Sequence, residues 1–221
     1  MKERLSEDVI AMRAAKELKS GDYCNLGGGI PLLCPVSTRE DVIFQGENGI
    51  LGYGDLLTEE NWQLYDFSHI DATGHFLLPK PGESIFDFLT SLSMMRSGRM
   101  RTVLGALQVS EKGDLANHSV STQDEYIVMG GAMDLAWGSR HVIITMTHTT
   151  KTGEPKVVKE LTLPLTGKKC VNLIVTDLAV IEVTDEGLLL KETAPGWSVH
   201  EIQAVTEPKL IVAPDLKEME L

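Results

Sequence analysis

The chain has 221 residues, 43% of them hydrophobic and 24% charged, with a formal net charge of −12. Such a composition supports a buried core, and the length suits one α/β domain over residues 1–221. The acidity argues against nucleic acid as a partner, since phosphate binding needs clustered Lys and Arg. A polyanionic small molecule remains compatible, because a local patch or a few backbone N–H groups suffice to hold phosphates.

Ser6 caps a first helix, with Glu7 and Asp8 in its first turn. Val9, Ile10, Ala14 and Leu18 follow at helical spacing, Lys16 and Lys19 lie near its end, and Gly21 is a left-handed stop. Tyr23 to Leu26 reads as a strand running into Gly27-Gly28-Gly29, and Pro31 opens a short helix. Asp41 to Phe44 is a short apolar run expected as a buried strand, ending at Gln45-Gly46-Glu47-Asn48-Gly49. A polar turn directly after a buried strand is where α/β sheets place chemistry. Residues 50–82 are Gly-, Pro- and polar-rich and carry no clear periodicity.

Ile85 to Arg96 fits an amphipathic helix, Val103 to Ala106 a buried strand, and Gln108 to Leu115 a connecting turn. A helix begins at Ala132 after Gly130-Gly131 and runs to Trp137. His141 to His148 is a strand, and Thr149 to Pro155 a hairpin or loop. Leu173 to Thr176 and Leu178 to Val183 are strands, the second pairing with Leu188 to Thr193 across Asp185-Glu186-Gly187. Ser198 caps a short helix to Val205, and Leu210 to Ala213 is the last strand. Strands alternating with helices imply an open α/β/α sandwich around a mostly parallel sheet.

Cys24, Cys34 and Cys170 are odd in number and widely spaced, which argues against a disulfide framework or a zinc site. No metal site is expected. The first residues lack the continuous apolar segment of a signal peptide, and no run of 18 apolar residues is present. A cytoplasmic protein with no membrane partner is the expectation.

Four stretches offer chemistry, each with a plainer reading beside it. Gly27-Gly28-Gly29 lets a backbone approach a ligand and aim N–H groups at it, or is a tight strand-to-helix turn. Glu47-Asn48-Gly49 presents a carboxylate nucleophile, or is an exposed Asn-Gly turn. Gly130-Gly131 before a helix offers N–H groups to an oxyanion, or packs a helix start. Gly105 with Gln108 and Asn117 lines a pocket, or forms a turn. The histidines are too dispersed for a metal site, and Cys24 reads as a small buried apolar residue.

These stretches stand in a recognisable order. Asn25-Leu26-Gly27-Gly28-Gly29-Ile30-Pro31 is followed by Glu47-Asn48-Gly49-Ile50-Leu51-Gly52-Tyr53-Gly54, then by Leu104 to Asn117 (LGALQVSEKGDLAN). Gly130 to Leu135 (GGAMDL), His148 to Lys151 (HTTK), Leu161 to Val171 (LTLPLTGKKCV) and Thr176 to Val180 (TDLAV) complete the series. The whole series, covering about residues 8–216, resembles the β-type subunits of the class I 3-oxoacid CoA-transferases, whose fold also resembles that of sugar-phosphate isomerases. The resemblance implies that Glu47 is the catalytic carboxylate, forming an acyl-glutamyl anhydride and then a glutamyl–CoA thioester in ping-pong exchange. It implies that the Gly131 N–H stabilises the oxyanion, with Gly130 beside it and Gly27 to Gly29 shaping the pocket. Asn48 and Gly49 adjoin the nucleophile, with Asn48 orienting Glu47 or lining the pocket.

The substrates so implied are acyl-CoA and a short carboxylic acid, with no permanently bound cofactor because CoA itself is transferred. The implied partner is a homologous α-type subunit, commonly in an α₂β₂ tetramer. The sequence departs from the family pattern at Gly28, where a larger apolar residue is usual. It departs again at Asp71-Ala72-Thr73-Gly74-His75 and at Ser121-Thr122-Gln123-Asp124-Glu125, so the resemblance implies neither the CoA phosphate contacts nor the acyl specificity. Two other readings use the same residues: a sugar-phosphate isomerase with Glu47 as base, and a catalytically silent CoA-binding scaffold.

Overall fold

The computed structural model describes residues 2–37, 41–121 and 129–221. The first half runs α1 (Glu7–Ala15), β1 (Tyr23–Leu26), a 3-10 helix (Ile30–Ser37), β2 (Ile43–Gly46), β3 (Ile50–Leu51), a short 3-10 turn (Trp62–Leu64), β4 (Ser84–Ile85) and α2 (Phe88–Met95). Next come β5 (Arg101–Gly105), β6 (Gln108–Ser110), β7 (Leu115–Ala116), α3 (Ala132–Gly138) and β8 (His141–Met146). The last part is β9 (Val157–Val158), β10 (Leu173–Thr176), β11 (Ala179–Thr184), β12 (Gly187–Thr193), α4 (Val199–Gln203) and β13 (Leu210–Glu218).

The main sheet has the order β13-β12-β11-β10-β8-β5-β1-β2-β3-β4. Its centre, β2-β1-β5-β8-β10, is parallel throughout. Antiparallel pairings flank that centre on both sides, β2-β3-β4 at one end and β10-β11-β12 at the other. A smaller sheet, β7-β6-β9, packs separately. The architecture is the expected α/β fold with a mostly parallel sheet and helices on both faces.

Alternation along the strands builds two cores. Leu104, Ile144 and Ile174 face a cluster that includes Met95 of α2, Leu135 of α3 and Ile202 of α4. Their neighbours Val103, Ile143, Leu173 and Val175 face the opposite cluster with Ile10, Ala11 and Ala14 of α1. Successive side chains of a strand point to opposite faces, so a continuous apolar run is what a doubly covered sheet requires. A buried ion pair fastens α1 to β12: Arg13 Nε donates to Glu192 Oε2 at 2.7 Å and Nη2 to Oε1 at 3.0 Å. Burial opposes the Arg13 charge, but Glu192 and Glu17 hold its pKa above the ordinary value.

Several boundaries differ from expectation. The second strand is Ile43–Gly46, two residues later than Asp41 to Phe44. Its pairing starts where Ile43 N–H reaches the Asp22 carbonyl, while the Asp41 carbonyl accepts from Gly21 in the turn before it. Ile85 pairs with Ile50 instead of opening a helix. The helix starts three residues later, where the Asp87 side chain caps it by accepting from Thr90 N–H. Gln108 to Leu115 is not a plain turn but contributes β6 and the start of β7, with Val109 and Leu115 fully buried. The last strand continues to Glu218 past Pro214, which is tolerated because β13 is an edge and its register shifts there. Among the described residues no helix is long and apolar enough to cross a membrane.

Candidate active site

From β1 the chain steps to β2 on one side, then returns across β1 to β5 on the other. Such a reversal opens a crevice at the carboxyl ends of the parallel strands. A cavity of about 590 Å³ lies there, lined among others by Leu26 to Gly29, Gly46, Glu47, Gly105, Gly130 and Gly131. That volume is in the range of small-molecule pockets.

Glu47 sits in the turn of the β2–β3 hairpin, where Gln45 faces Leu51 and Gly46 faces Ile50. Gly49 closes the turn with φ +112°, and its N–H reaches the Gly46 carbonyl at 3.0 Å. Only glycine fits at position 49, because a Cβ would run into the Phe86 carbonyl. The half-buried Glu47 carboxylate turns toward the start of α3, where Gly131 N–H donates to Oε2 at 3.0 Å. A Cβ on Gly131 would fall on Oε2, 2.6 Å from Glu47 Cδ and 2.7 Å from Met95 Cε. The absence of a side chain at 131 is what lets this N–H reach the carboxylate. Among the described residues Oε1 accepts no hydrogen bond.

A buried polar chain supports the strand end beneath Glu47. Asn25 Nδ2 donates to the Gln45 carbonyl at 3.0 Å and to Gln45 Oε1 at 2.5 Å. Gln45 Nε2 donates to Ser91 Oγ at 2.5 Å, and Ser91 Oγ reaches the Gly46 carbonyl at 3.4 Å. All three side chains are nearly inaccessible to solvent. A fully satisfied buried network resists displacement, because each lost partner leaves a desolvated group behind. The visible signal for Asn25 and Gln45 was a polar residue inside an otherwise apolar strand. Ser91 had none, as a serine in a helix is ordinary.

The wall opposite the glycine loop comes from the segment that had no readable periodicity. Asp71 Oδ1 accepts from Thr73 N–H at 2.8 Å, Thr73 Oγ1 at 2.7 Å and His75 N–H at 2.9 Å. Thr73 places its methyl 3.9 Å from where a Gly28 Cβ would lie. Two of the departures from the family pattern, Gly28 and the 71–75 stretch, therefore face each other across the cavity. The third departure lies, from Thr122 on, outside the described residues. Tyr53 also lines the cavity; burial and then the Asp71 charge push its phenol pKa well up. Farther along, Thr145, Thr147 and Lys156 complete the lining. Burial lowers the Lys156 pKa, against the opposing charge of Asp177.

Of the residues singled out from sequence, Gly27, Gly28, Gly29, Glu47, Gly105, Asn117, Gly130 and Gly131 line one cavity. Asn117 Nδ2 donates to the Gly105 carbonyl at 3.3 Å, and Thr166 holds its Oδ1. Asn48, Gly49 and Gln108 do not line it. Asn48 is exposed and donates to the Ile70 carbonyl at 2.7 Å, so it ties the 70–75 segment to the turn and does not orient Glu47. Gly49 is buried behind the turn. Gln108 lies on the small sheet, where Oε1 accepts from Thr162 N–H at 3.0 Å and Leu163 N–H at 3.2 Å. Cys24 is fully buried, and that burial raises its thiol pKa well above the ordinary value, as suits a packing residue.

Residues 8–204 match the family described as Coenzyme A transferase. The chain is 41% identical over 215 residues to one of the subunits of a 3-oxoadipate CoA-transferase of Acinetobacter baylyi, covering 95% of this chain and 97% of that one. It is 43% identical over 220 residues to a mitochondrial succinyl-CoA:3-ketoacid coenzyme A transferase of Mus musculus, covering 97% of this chain but 42% of the mouse protein. Among solved structures it resembles an acyl-CoA transferase from Escherichia coli O157:H7, with TM-score 0.76 and 21% identity over all of this chain and 44% of that one. In such longer proteins this chain spans less than half the length.

Proposed function

This chain belongs to the coenzyme A transferase family, and on that premise we propose that it is the β-type subunit of a 3-oxoacid CoA-transferase with Glu47 as nucleophile. The observation that carries the reading is the Gly131 N–H on Glu47 Oε2, inside a cavity at the carboxyl ends of the strands. With Oε2 held, Oε1 is the attacking oxygen. It adds to the thioester carbonyl of an acyl-CoA, and the CoA thiolate leaves, giving an acyl-glutamyl anhydride. The thiolate then attacks Glu47 Cδ, expelling the donor acid as its carboxylate and forming a glutamyl–CoA thioester. During that attack the negative charge gathers on Oε2, the atom already facing the Gly131 N–H. Donors aimed in advance at a developing oxyanion are worth most in a site shielded from water. The acceptor acid reverses the sequence. Splitting one exchange into acyl transfers lowers the barrier to each.

The substrates on this reading are an acyl-CoA and a short carboxylic acid, with no permanently bound cofactor. The named relatives favour a 3-oxo acid as one partner in the exchange. The reading extends to a single domain over 1–221, an α-type partner subunit in an α₂β₂ assembly, and a cytoplasmic location. The half-length match to single-chain relatives supports the partner, because their remaining length has to come from another chain here.

The test is to assemble the chain with its α-type partner, add an acyl-CoA, and trap with borohydride or hydroxylamine before mass spectrometry. Modification of Glu47 in the complex, with none in the lone chain, is the expected result. An unmodified Glu47 in a complex that still exchanges CoA would refute the nucleophile.

A further inference from the structure

We propose that Thr145 and Lys156 form a carboxylate subsite at the end of the cavity away from Glu47, so that an acid handled by this chain carries a second carboxylate. The inference rests on the transferase reading and names the substrate class of the same site.

Both side chains line the cavity. Thr145 is 1% exposed, and its Oγ1 has no hydrogen-bond partner among the described residues. A buried hydroxyl without a partner is costly, so a ligand atom that completes it is favoured. Lys156 likewise makes no side-chain hydrogen bond or ion pair among the described residues, although it is partly buried. Its main chain is fixed on both sides: N–H donates to the His148 carbonyl at 3.1 Å, and its carbonyl accepts from Val109 at 2.9 Å. The ammonium is therefore presented from a fixed backbone.

The nearby carboxylates do not fill this role. Asp177 accepts from Arg4 Nη1 at 2.9 Å and from His148 N–H at 2.6 Å. Glu7 also lines the cavity but is exposed in the first turn of α1. What is left is a cation and a hydroxyl donor in one cavity, the combination that takes a carboxylate.

The subsite's distance from Glu47 gives the ligand its shape. Thr145 is on β8, and Glu47 follows β2, three strands away in the order β2-β1-β5-β8. At about 4.8 Å per strand this is roughly 14 Å between backbones, shortened from both ends by the Glu and Lys side chains. An acid whose first carboxyl reacts at Glu47 reaches the subsite only if its other end carries the second charge across that gap.

The test uses the assembled complex and one CoA donor, comparing succinate with butyrate as acceptors. In Lys156→Met the ratio of kcat/KM for succinate over butyrate should fall ~10- to 100-fold, the range of a lost hydrogen bond to a charge. Thr145→Val, nearly the same shape, should lower the ratio by a smaller factor. A thermal-shift arm reads binding without turnover: succinate should raise the melting temperature of wild type but not of Lys156→Met. An unchanged ratio overturns the proposal. So does an equal rise in KM for every acyl-CoA donor in Lys156→Met, since the cation would then serve a CoA phosphate. If wild type transfers CoA to no acid, yet succinate still stabilises it through Lys156, the transferase reading fails and the subsite stands.

Discussion

Two turns leave the same edge of the parallel sheet carrying titratable side chains, and they have opposite fates. Glu47 follows β2, while His148 and Asp177 follow β8 and β10. His148 is buried between two hydroxyls, Nδ1 to Thr176 Oγ1 at 2.9 Å and Nε2 to Thr206 Oγ1 at 2.8 Å, and its N–H meets Asp177. Burial lowers its pKa to about 4, so the ring is neutral. Asp177 is occupied by that N–H and by Arg4. Glu47, by contrast, has one oxygen held by a single N–H and the other unpaired among the described residues. A place after a parallel strand does not by itself make a site. A half-satisfied reactive group beside a cavity does, whereas full internal pairing turns the same location into structure.

Exchanging the two behaviours would break this contrast. The largest effect is expected from Glu47→Gln, which keeps the shape but removes the nucleophile. CoA transfer by the complex should drop at least about 1000-fold, with the melting temperature within ~2 °C of wild type. A stopped assay combined with calorimetry reads both. A large loss of stability instead would mean that Glu47 is structural.

Gly131→Ala comes next. Its methyl displaces a flexible carboxylate and the tip of Met95 rather than backbone. The expected outcome is a kcat lower by ~100- to 1000-fold, the range for losing an oxyanion donor, in a folded protein. Wild-type kcat would remove the Gly131 N–H from the mechanism.

At the other turn the pattern should invert. Asp177→Ala strands a buried N–H and an arginine, so urea denaturation should show a loss of about 2–4 kcal/mol. Butyrate turnover per folded complex should stay close to wild type.

The smallest and most gradual effect is acid destabilisation through His148. Its folded pKa of about 4 lies below the unfolded value near 6.5. Its stabilising contribution is therefore intact above pH ~6.5 and is lost as pH falls toward 4, because the unfolded chain takes the proton first. Urea midpoints between those limits should decline with pH, and His148→Gln should flatten the slope. An unchanged slope would mean that His148 protonates as readily in the fold as outside it.

Much of the scaffold was legible along the chain. Tyr23 to Leu26 and Leu173 to Thr176 appear with the expected ends, since an apolar run bounded by Gly or Asp needs no distant information. The segment at 50–82 was not legible, because its short pairings, such as Leu56 with Leu77 and Ile70 with Phe76, depend on partners far along the chain. Gln108 misled for a related reason. A polar residue after a buried strand reads as pocket lining, but Thr162 and Leu163 take both ends of its amide.

The sequence alone determined the alternating apolar strands, the glycines that permit tight turns, and the carboxylate at position 47. These follow from local sterics and from a two-residue period that any sheet imposes. Tertiary structure decided which of the polar residues meet. The Glu47–Gly131 bond joins positions 84 apart in the chain. Their proximity comes from β2 and α3 ending and beginning at one edge of the sheet. The same packing left Thr145 and Lys156 facing the cavity without partners while it enclosed His148 and Asp177, because satisfaction of a buried polar group depends on what the fold brings within hydrogen-bond reach.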